Sequence, residues 1–285
     1  GVVVASSYRW SAPGLSPILQ PGVVQIRLDA SRLTLRDGPA FSPLAVNVPI
    51  VLRDSIAGNE TIQPTAVNCP SGGADCTLTA AFSRAHPLPY SLESATAGLQ
   101  EAVNSLGGGG GLVYVPPGTY TISDGASVVL HSDVQLIGAG IGATILRKEI
   151  SASSATPVVS VNGSTPERIR IAHLVLDAAG ITNGLFCDGC SDSEVTDVEV
   201  RNVTANGIGL WFYRDRATQP PSRNRIHGNR LTVGFGAGAT NLQLSNGAGD
   251  NWIADNEIQT ATGGGFPVGI SLLGHNSGTP VINNR

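Results

Sequence analysis

Three aspartates, Asp188, Asp215 and Asp250, recur along the second half of the 285-residue chain, the middle one inside the run Trp211-Phe212-Tyr213-Arg214-Asp215-Arg216. Carboxyl groups held about 5 to 9.5 Å apart are what acid–base cleavage of a glycosidic bond requires. Aromatic rings beside arginines supply the rest of a sugar site. Trp211 and Tyr213 can stack on a sugar ring, and Arg214 and Arg216 can bind its hydroxyls or a carboxylate. The same residues suit a second chemistry, calcium-dependent elimination, with Asp188, Asp192 and Asp215 around the ion and Arg214 or Arg216 as the base. Spacing alone selects neither. The plainer alternative is that Trp211 and Phe212 pack under their own loop while the charges pair in solvent. His173 and Asp197 read as a structural pair, because no third group accompanies them.

These residues can meet only if a repeat brings distant loops together. One register places Ile171, Val195, Ile226, Ile253 and Val281 in a single inward column, with steps of 24, 31, 27 and 28 residues. A second places Val159, Leu185, Ile208, Leu242 and Ile270, with steps of 26, 23, 34 and 28. Such steps are those of solenoid coils. Three residues past the first column stand Leu174, Val198, Asn229, Asn256 and Asn284, so the later coils are expected to stack asparagines at a bend. Leu176, Val200, Leu231 and Ile258 then start the next inward strand, which makes three strands per coil. Arg170, Glu194, Arg225 and Trp252 point outward and read as a solvated charge ladder. The chain ends at Val281–Arg285 in the middle of a coil, where further coils or another chain are expected to cover the open edge.

The stretch from Ser94 to Ile122 opens this series. Ser94 and Thr96 are candidate helix caps, Leu99, Val103 and Leu106 form an apolar stripe, and Gly107 to Gly111 end the helix. The period then changes to two in Leu112-Val113-Tyr114-Val115, and Pro116-Pro117-Gly118 turns into Thr119-Tyr120-Thr121-Ile122. Gly98-Leu99-Gln100-Glu101-Ala102-Val103 followed by Val113-Tyr114-Val115-Pro116-Pro117-Gly118-Thr119-Tyr120 resembles the first coil of the pectate-lyase-like right-handed parallel β-helix proteins. The resemblance implies an all-β, right-handed parallel β-helix of three-strand coils over residues 93–285, entered through an amphipathic cap helix. It also implies a substrate lying along the outer face through Ser160, Phe186, Gly209, Gln243 and Ser271, with the insertion 211–221 as a cleft wall. On that face Asp188 and Asp250 fall two coils apart, roughly 10 Å at rung spacing, so Asp215 must bridge them. The aspartate clusters and the H-G and R-I-K type motifs of the polygalacturonase branch are not seen.

Residues 1–92 lack this register. Runs at 2–5, 23–28, 44–52, 61–67 and 76–82 between Pro and Gly breaks read as a small β-rich unit. Thirty-six Gly, 18 Pro and 13% charged residues suit short strands joined by turns. A net charge of −4 without clustered Lys and Arg argues against nucleic acid, and the sequence has no apolar run long enough for a membrane span. Cys69 with Cys76 and Cys187 with Cys190 suit two local disulfides in an oxidising compartment, hence a secreted or cell-surface protein. Gly1 and the absence of Met suggest a removed leader or a piece of a longer chain. The expected partner is a polysaccharide, bound or depolymerised by lyase or hydrolase chemistry. No cofactor is demanded, calcium being the one left open. The competing reading is a non-catalytic fibre, adhesin or tailspike-like rod whose copies associate, end to end among other ways.

Overall fold

Short strands account for almost all of the regular secondary structure in a computed structural model that describes residues 2–4, 7–11, 19–28, 33–36, 45–69, 75–150, 156–203, 207–233, 238–260, 268–274 and 278–285. The chain divides into two units, Val4–Ser105 and Gly1–Val3 with Leu106–Arg285.

In the first unit Gly22–Leu28, Cys76–Phe82 and Pro64–Asn68 form a three-stranded antiparallel sheet. Leu33–Arg36, Ser7–Ser11, Tyr90–Ser94, Ile50–Asp54 and Glu60–Ile62 form a five-stranded one. The expected run at 61–67 breaks in two because Pro64 has no N–H to donate, and the pairing shifts between Pro64 and Ala66. Ala5 and Leu44 of the expected runs lie outside the described residues. Ile26, Leu28, Ile50, Leu52, Leu78, Phe82 and Leu92 form the core. Beside it His86 is fully buried, Nδ1 against Asp54 Oδ2 at 2.9 Å and Nε2 against Glu60 Oε2 at 2.8 Å.

The helix is shorter than the sequence suggests. Ala97 and Gly98 take φ of 53° and 84°, so it runs only over Leu99–Ser105. Thr96 Oγ1 accepts from Gln100 N, Ser94 Oγ at the end of a strand accepts from Gly98 N outside the helix, and both hydroxyls donate to the buried Glu101 carboxylate. Of the glycine run, Gly110 is obligatory, because at φ 69° an added Cβ would sit 2.4 Å from Asp133 Cβ.

The second unit is a right-handed parallel β-helix. Its first inward column is the one read from the sequence, since Ile171 pairs with Val195, Val195 with Ile226, Ile226 with Ile253 and Ile253 with Val281. It extends back through Leu136 to Val113. The second column needs one correction. Leu185 pairs with Leu210, and Leu210 with Leu242, while Ile208 faces Thr240. Ile208 and Leu210 both point inward, and alternation of period two cannot tell them apart. The second and third strands of a coil are continuous in Arg170–Asp177 and Glu194–Val203 and separate in later coils. In each case the bend is one left-handed residue: His173, Asp197, Gly228, Asp255 and Asn283, with φ between 52° and 64°. Among the described residues, one inward position carries charge. Lys148 donates to the Ser123 and Ala126 carbonyls and to Thr156 Oγ1, and burial pushes its ammonium down to about 8.

Directly after the bend the asparagines stack as expected. Asn229 Oδ1 accepts from Val198 N at 3.0 Å, and Asn229 Nδ2 donates to Val195 O and to Asn256 Oδ1, both at 2.9 Å. Asn256 repeats the arrangement with Asn284. A second buried ladder, unread in the sequence, runs through Ser193, Asn224, Asn251 and Thr279 at the preceding turn. These amides satisfy the backbone groups that a turn inside a stacked coil would otherwise bury unpaired.

Two outcomes follow. Asn229→Ala strands Val198 N and Val195 O in the interior and is expected to lower the unfolding free energy by about 3 kcal/mol. Urea titration checks this, and a loss under about 1 kcal/mol contradicts it. In the first unit burial alone would raise the Asp54 carboxyl, but the Ile56 and Ala57 N–H groups and His86 outweigh it and hold it below 3.8. Glu60 is likewise raised by burial and lowered further by His86 and Ser83, below 4.5. Both are depressed in the folded state, so their stabilisation is present above their unfolded values and is lost as pH falls below about 4. Urea midpoints of this unit should therefore fall between about pH 5 and pH 2, and less steeply in Asp54→Asn; a flat profile contradicts the assignment.

Candidate functional site

One sheet of the β-helix is built from Val128–Leu130, Val159–Val161, Leu185–Asp188, Ile208–Tyr213, Thr240–Leu244 and Val268–Leu272. Val159, Leu185, Leu210 and Leu242 fill its inner side. The outer column between them runs Ser160, Phe186, Trp211, Gln243, Ser271. Trp211 thus takes the place expected for Gly209, by the same two-residue slip that exchanges Leu210 for Ile208. Trp211 and Tyr213 lie on a strand rather than in the insertion, and Phe212 between them is buried.

Three rings meet on this face. Phe186 and Trp211 are edge to face with centroids 5.0 Å apart, Trp211 and Tyr213 are 5.1 Å apart, and Phe186 and Tyr213 are 6.5 Å apart. Gln243 stands on the next rung, its Nε2 3.4 Å from Ser245 Oγ.

The insertion is pinned beside the rings. Asp188 is 3% exposed, and its carboxylate accepts the N–H groups of Asp215 at 2.8 Å, Arg216 at 2.9 Å and Ala217 at 3.3 Å. The Cys187–Cys190 disulfide brackets Asp188, and Cys69 is joined to Cys76, both as expected. Further along, Thr218 donates through N and Oγ1 to Ser164 O, and Asn246 Nδ2 donates to Arg214 O. The segment therefore reaches back across two coils. Asp215 is exposed at its tip, 3.6 Å from Arg216 Nε. Asp188 holds this wall in place, and its oxygens are committed to backbone amides.

Asp250 lies in a different column. Ser222 bridges Gly249, and Arg225 pairs with Trp252, which sets Asp250 over Arg223 and Arg223 over Asp192. The column reads Asp133, Arg168, Asp192, Arg223, Asp250, all left-handed with φ between 50° and 66°. Arg168 grips Asp133 with two bonds of 2.6 and 2.9 Å, and Arg223 grips Asp192 with two of 2.7 and 2.6 Å. The Arg223 guanidinium holds the Asp192 carboxyl below its ordinary value. The expected alignment of Asp188 with Asp250 is thus replaced. Above Asp188 stands Tyr213, because the turn that follows consumes the residues up to Asp192. Among the described residues no three His, Cys, Asp or Glu side chains gather as a metal site. His173 Nδ1 lies 2.8 Å from Asp197 Oδ2 at the exposed bend, a pair between adjacent rungs.

Residues 92–207 match the family model of rhamnogalacturonase A/epimerase, pectate lyase-like. Among solved structures, the A-module of the Azotobacter vinelandii mannuronan C-5 epimerase AlgE6 is 19% identical with a TM-score of 0.51, over 66% of this chain and 50% of that one. The AlgE4 A-module of the same organism is 21% identical with a TM-score of 0.47, over 66% and 55%. The catalytic domain of a GH87 alpha-1,3-glucanase is 12% identical with a TM-score of 0.40, over 88% and 51%. The chain spans about half the length of these structures, 50 to 55%. At such identities the likeness is one of fold. No curated protein matches the chain.

Asp188→Asn removes the charge and one acceptor from the wall and is expected to speed hydrogen exchange at amides 215–217 by at least about tenfold while the inward columns stay protected. Unchanged exchange at those amides contradicts the role given to Asp188.

Proposed function

We propose that this pectate-lyase-like β-helix binds a polysaccharide laid across the rings of Phe186, Trp211 and Tyr213, as a secreted or cell-surface protein acting on that polymer. The observation that carries the reading is the ring cluster itself, three aromatics on one outer face beside a wall held by Asp188. Aromatic surface left facing water is spent on something, and a sugar ring offers the C–H face that matches it. Gln243 supplies an amide to hydroxyls, and Arg214, Asp215 and Arg216 of the wall follow Tyr213 directly in the chain. The family model over residues 92–207 supports the same class of substrate, and the two disulfides suit an oxidising compartment.

Of the expected acid–base set, Asp215 alone remains an exposed carboxylate of the wall. Asp188 is saturated by amides and Asp250 belongs to the turn column, so the reading assigns recognition to this face and gives cleavage no pair built from these three. The competing reading is a non-catalytic rod whose copies associate.

Titration calorimetry with a panel of acidic and neutral oligosaccharides, accompanied by assays for reducing ends and unsaturated products, decides between them. Binding that Trp211→Ala weakens by at least about tenfold, and Tyr213→Ala by several-fold, is the expected result. Saccharide binding that is absent, or indifferent to both substitutions, with copies associating in sedimentation, overturns the reading in favour of the rod.

A further inference from the structure

On another sheet of the β-helix, stacking brings a hydroxyl, an imidazole and a carboxylate together. Glu194 and Thr196, two apart on the strand Glu194–Val203, face the same side, and His227 of the strand Arg225–His227 is the register partner of Thr196 on the next rung. The imidazole joins the two. His227 Nε2 is 3.0 Å from Glu194 Oε1, and His227 Nδ1 is 3.4 Å from Thr196 Oγ1. All three side chains are half-buried, and the Trp252 ring packs against the imidazole with centroids 5.3 Å apart.

These contacts fix where the proton sits. Burial raises the Glu194 carboxyl, but the His227 hydrogen bond and the charges of Arg170 and Arg225 outweigh it and hold it below its ordinary value. An ionised carboxylate can only accept. In the neutral imidazole Nε2 therefore carries the hydrogen, and Nδ1 keeps a lone pair for the Thr196 hydroxyl, which has no other hydrogen-bond partner among the described residues. Hydroxyl, base and orienting carboxylate thus stand in the order that activates an oxygen nucleophile. The approach to that hydroxyl is open at the bend. Gly228 has no side chain, and apart from its chain neighbours a Cβ there would come within 4 Å of one atom, Thr196 Oγ1, at 3.8 Å. The exposed His173–Asp197 pair is the contrast, since no hydroxyl joins it among the described residues.

We propose that Thr196, His227 and Glu194 form an acyl-transfer site that hydrolyses carboxylic esters with a small acyl group. Thr196 Oγ1 attacks the ester carbonyl carbon while His227 Nδ1 takes the hydroxyl proton. The bond from that carbon to the alcohol oxygen breaks, the alcohol leaves with the proton, and the acyl group stays on Oγ1. Water then attacks the acyl carbon as Nδ1 takes one of its protons, the bond to Oγ1 breaks, and Oγ1 regains its hydrogen as the acid departs. Glu194 is a positioning residue: it holds the tautomer and steadies the imidazolium that forms in each step. The site shares no residue with the Phe186–Trp211–Tyr213 face and stands whether or not that face binds a polymer.

The probe is p-nitrophenyl acetate, with p-nitrophenolate release followed for the whole chain and peptide mass spectrometry of quenched reactions locating the acetyl group. Turnover faster than that of free imidazole at equal concentration, with acetyl on Thr196, is the expected result. Thr196→Val and His227→Gln should each lower kcat at least about 100-fold. Thr196→Ser, which keeps a hydroxyl, should retain turnover, and Glu194→Gln should lower kcat at least about tenfold with KM unchanged. His173→Gln should leave the rate as it is. Turnover no faster than free imidazole, a native rate in Thr196→Val, loss in Thr196→Ser as complete as in Thr196→Val, or acetyl found elsewhere and not on Thr196 overturns the proposal. The adduct is read on the unsubstituted chain, so this outcome does not depend on how any variant folds.

Discussion

Parallel stacking of coils is the constraint from which everything else follows. Once Ile171, Val195, Ile226 and Ile253 lie one over another, every residue of a coil inherits a neighbour about 4.8 Å above and below, and each backbone turn is shut inside a pile of identical turns. A shut turn must find partners for its N–H and C=O groups. Asn229 and Asn256 supply them at one corner, Asn224 and Asn251 at another, each spending a donor and an acceptor on the rung beside it. The bend itself requires a left-handed residue. That position is filled by Gly, Asn and Asp, as sterics favour, and also by His173.

The same stacking converts sequence into surface. Residues that face outward from successive coils become a column, and a column of unlike residues becomes a ladder of pairs. Arg168 and Arg223 accept a strained left-handed backbone, and two-pronged bonds to Asp133 and Asp192 offset part of that strain. Where a column departs from pairing, the departure is informative. Phe186 and Trp211 put rings in place of charge on one face, and Trp252 takes a place in the charged column on another. The wall at 214–218 shows the same economy: a buried aspartate at a strand end supplies the acceptors that an inserted loop lacks.

Much of the fold was legible because it is carried by periodicity. Inward aliphatics every 24 to 31 residues, asparagines three residues further on and the Val113–Tyr120 motif all lie in the sequence itself. What escaped was whatever depends on loop length. Alternation places Ile208 and Leu210 on the same face, so the register of that strand was open by two residues, and with it the position of Trp211. Asp188 and Asp250 look alike in sequence, yet one ends a strand and the other begins the next turn, a distinction set by how many residues the turn between them uses. That Asp188 is spent on amides 215–217 has no local signature, because donors and acceptor are 27 to 29 residues apart. Lys148 shows the converse: the alternation of its strand points it inward, and only the surrounding carbonyls explain how the interior tolerates it.

The most direct test of stacked coils is a distance along one column. Gln135, Arg170, Glu194, Arg225 and Trp252 are register partners in turn, so Gln135 and Trp252 stand four rungs apart. Spin labels at these two positions, measured by double electron–electron resonance, should give a narrow distribution centred near about 19 Å, four times the rung spacing. A broad distribution, or a centre beyond about 30 Å, would contradict the stacking and remove the Phe186–Trp211–Tyr213 face built on it.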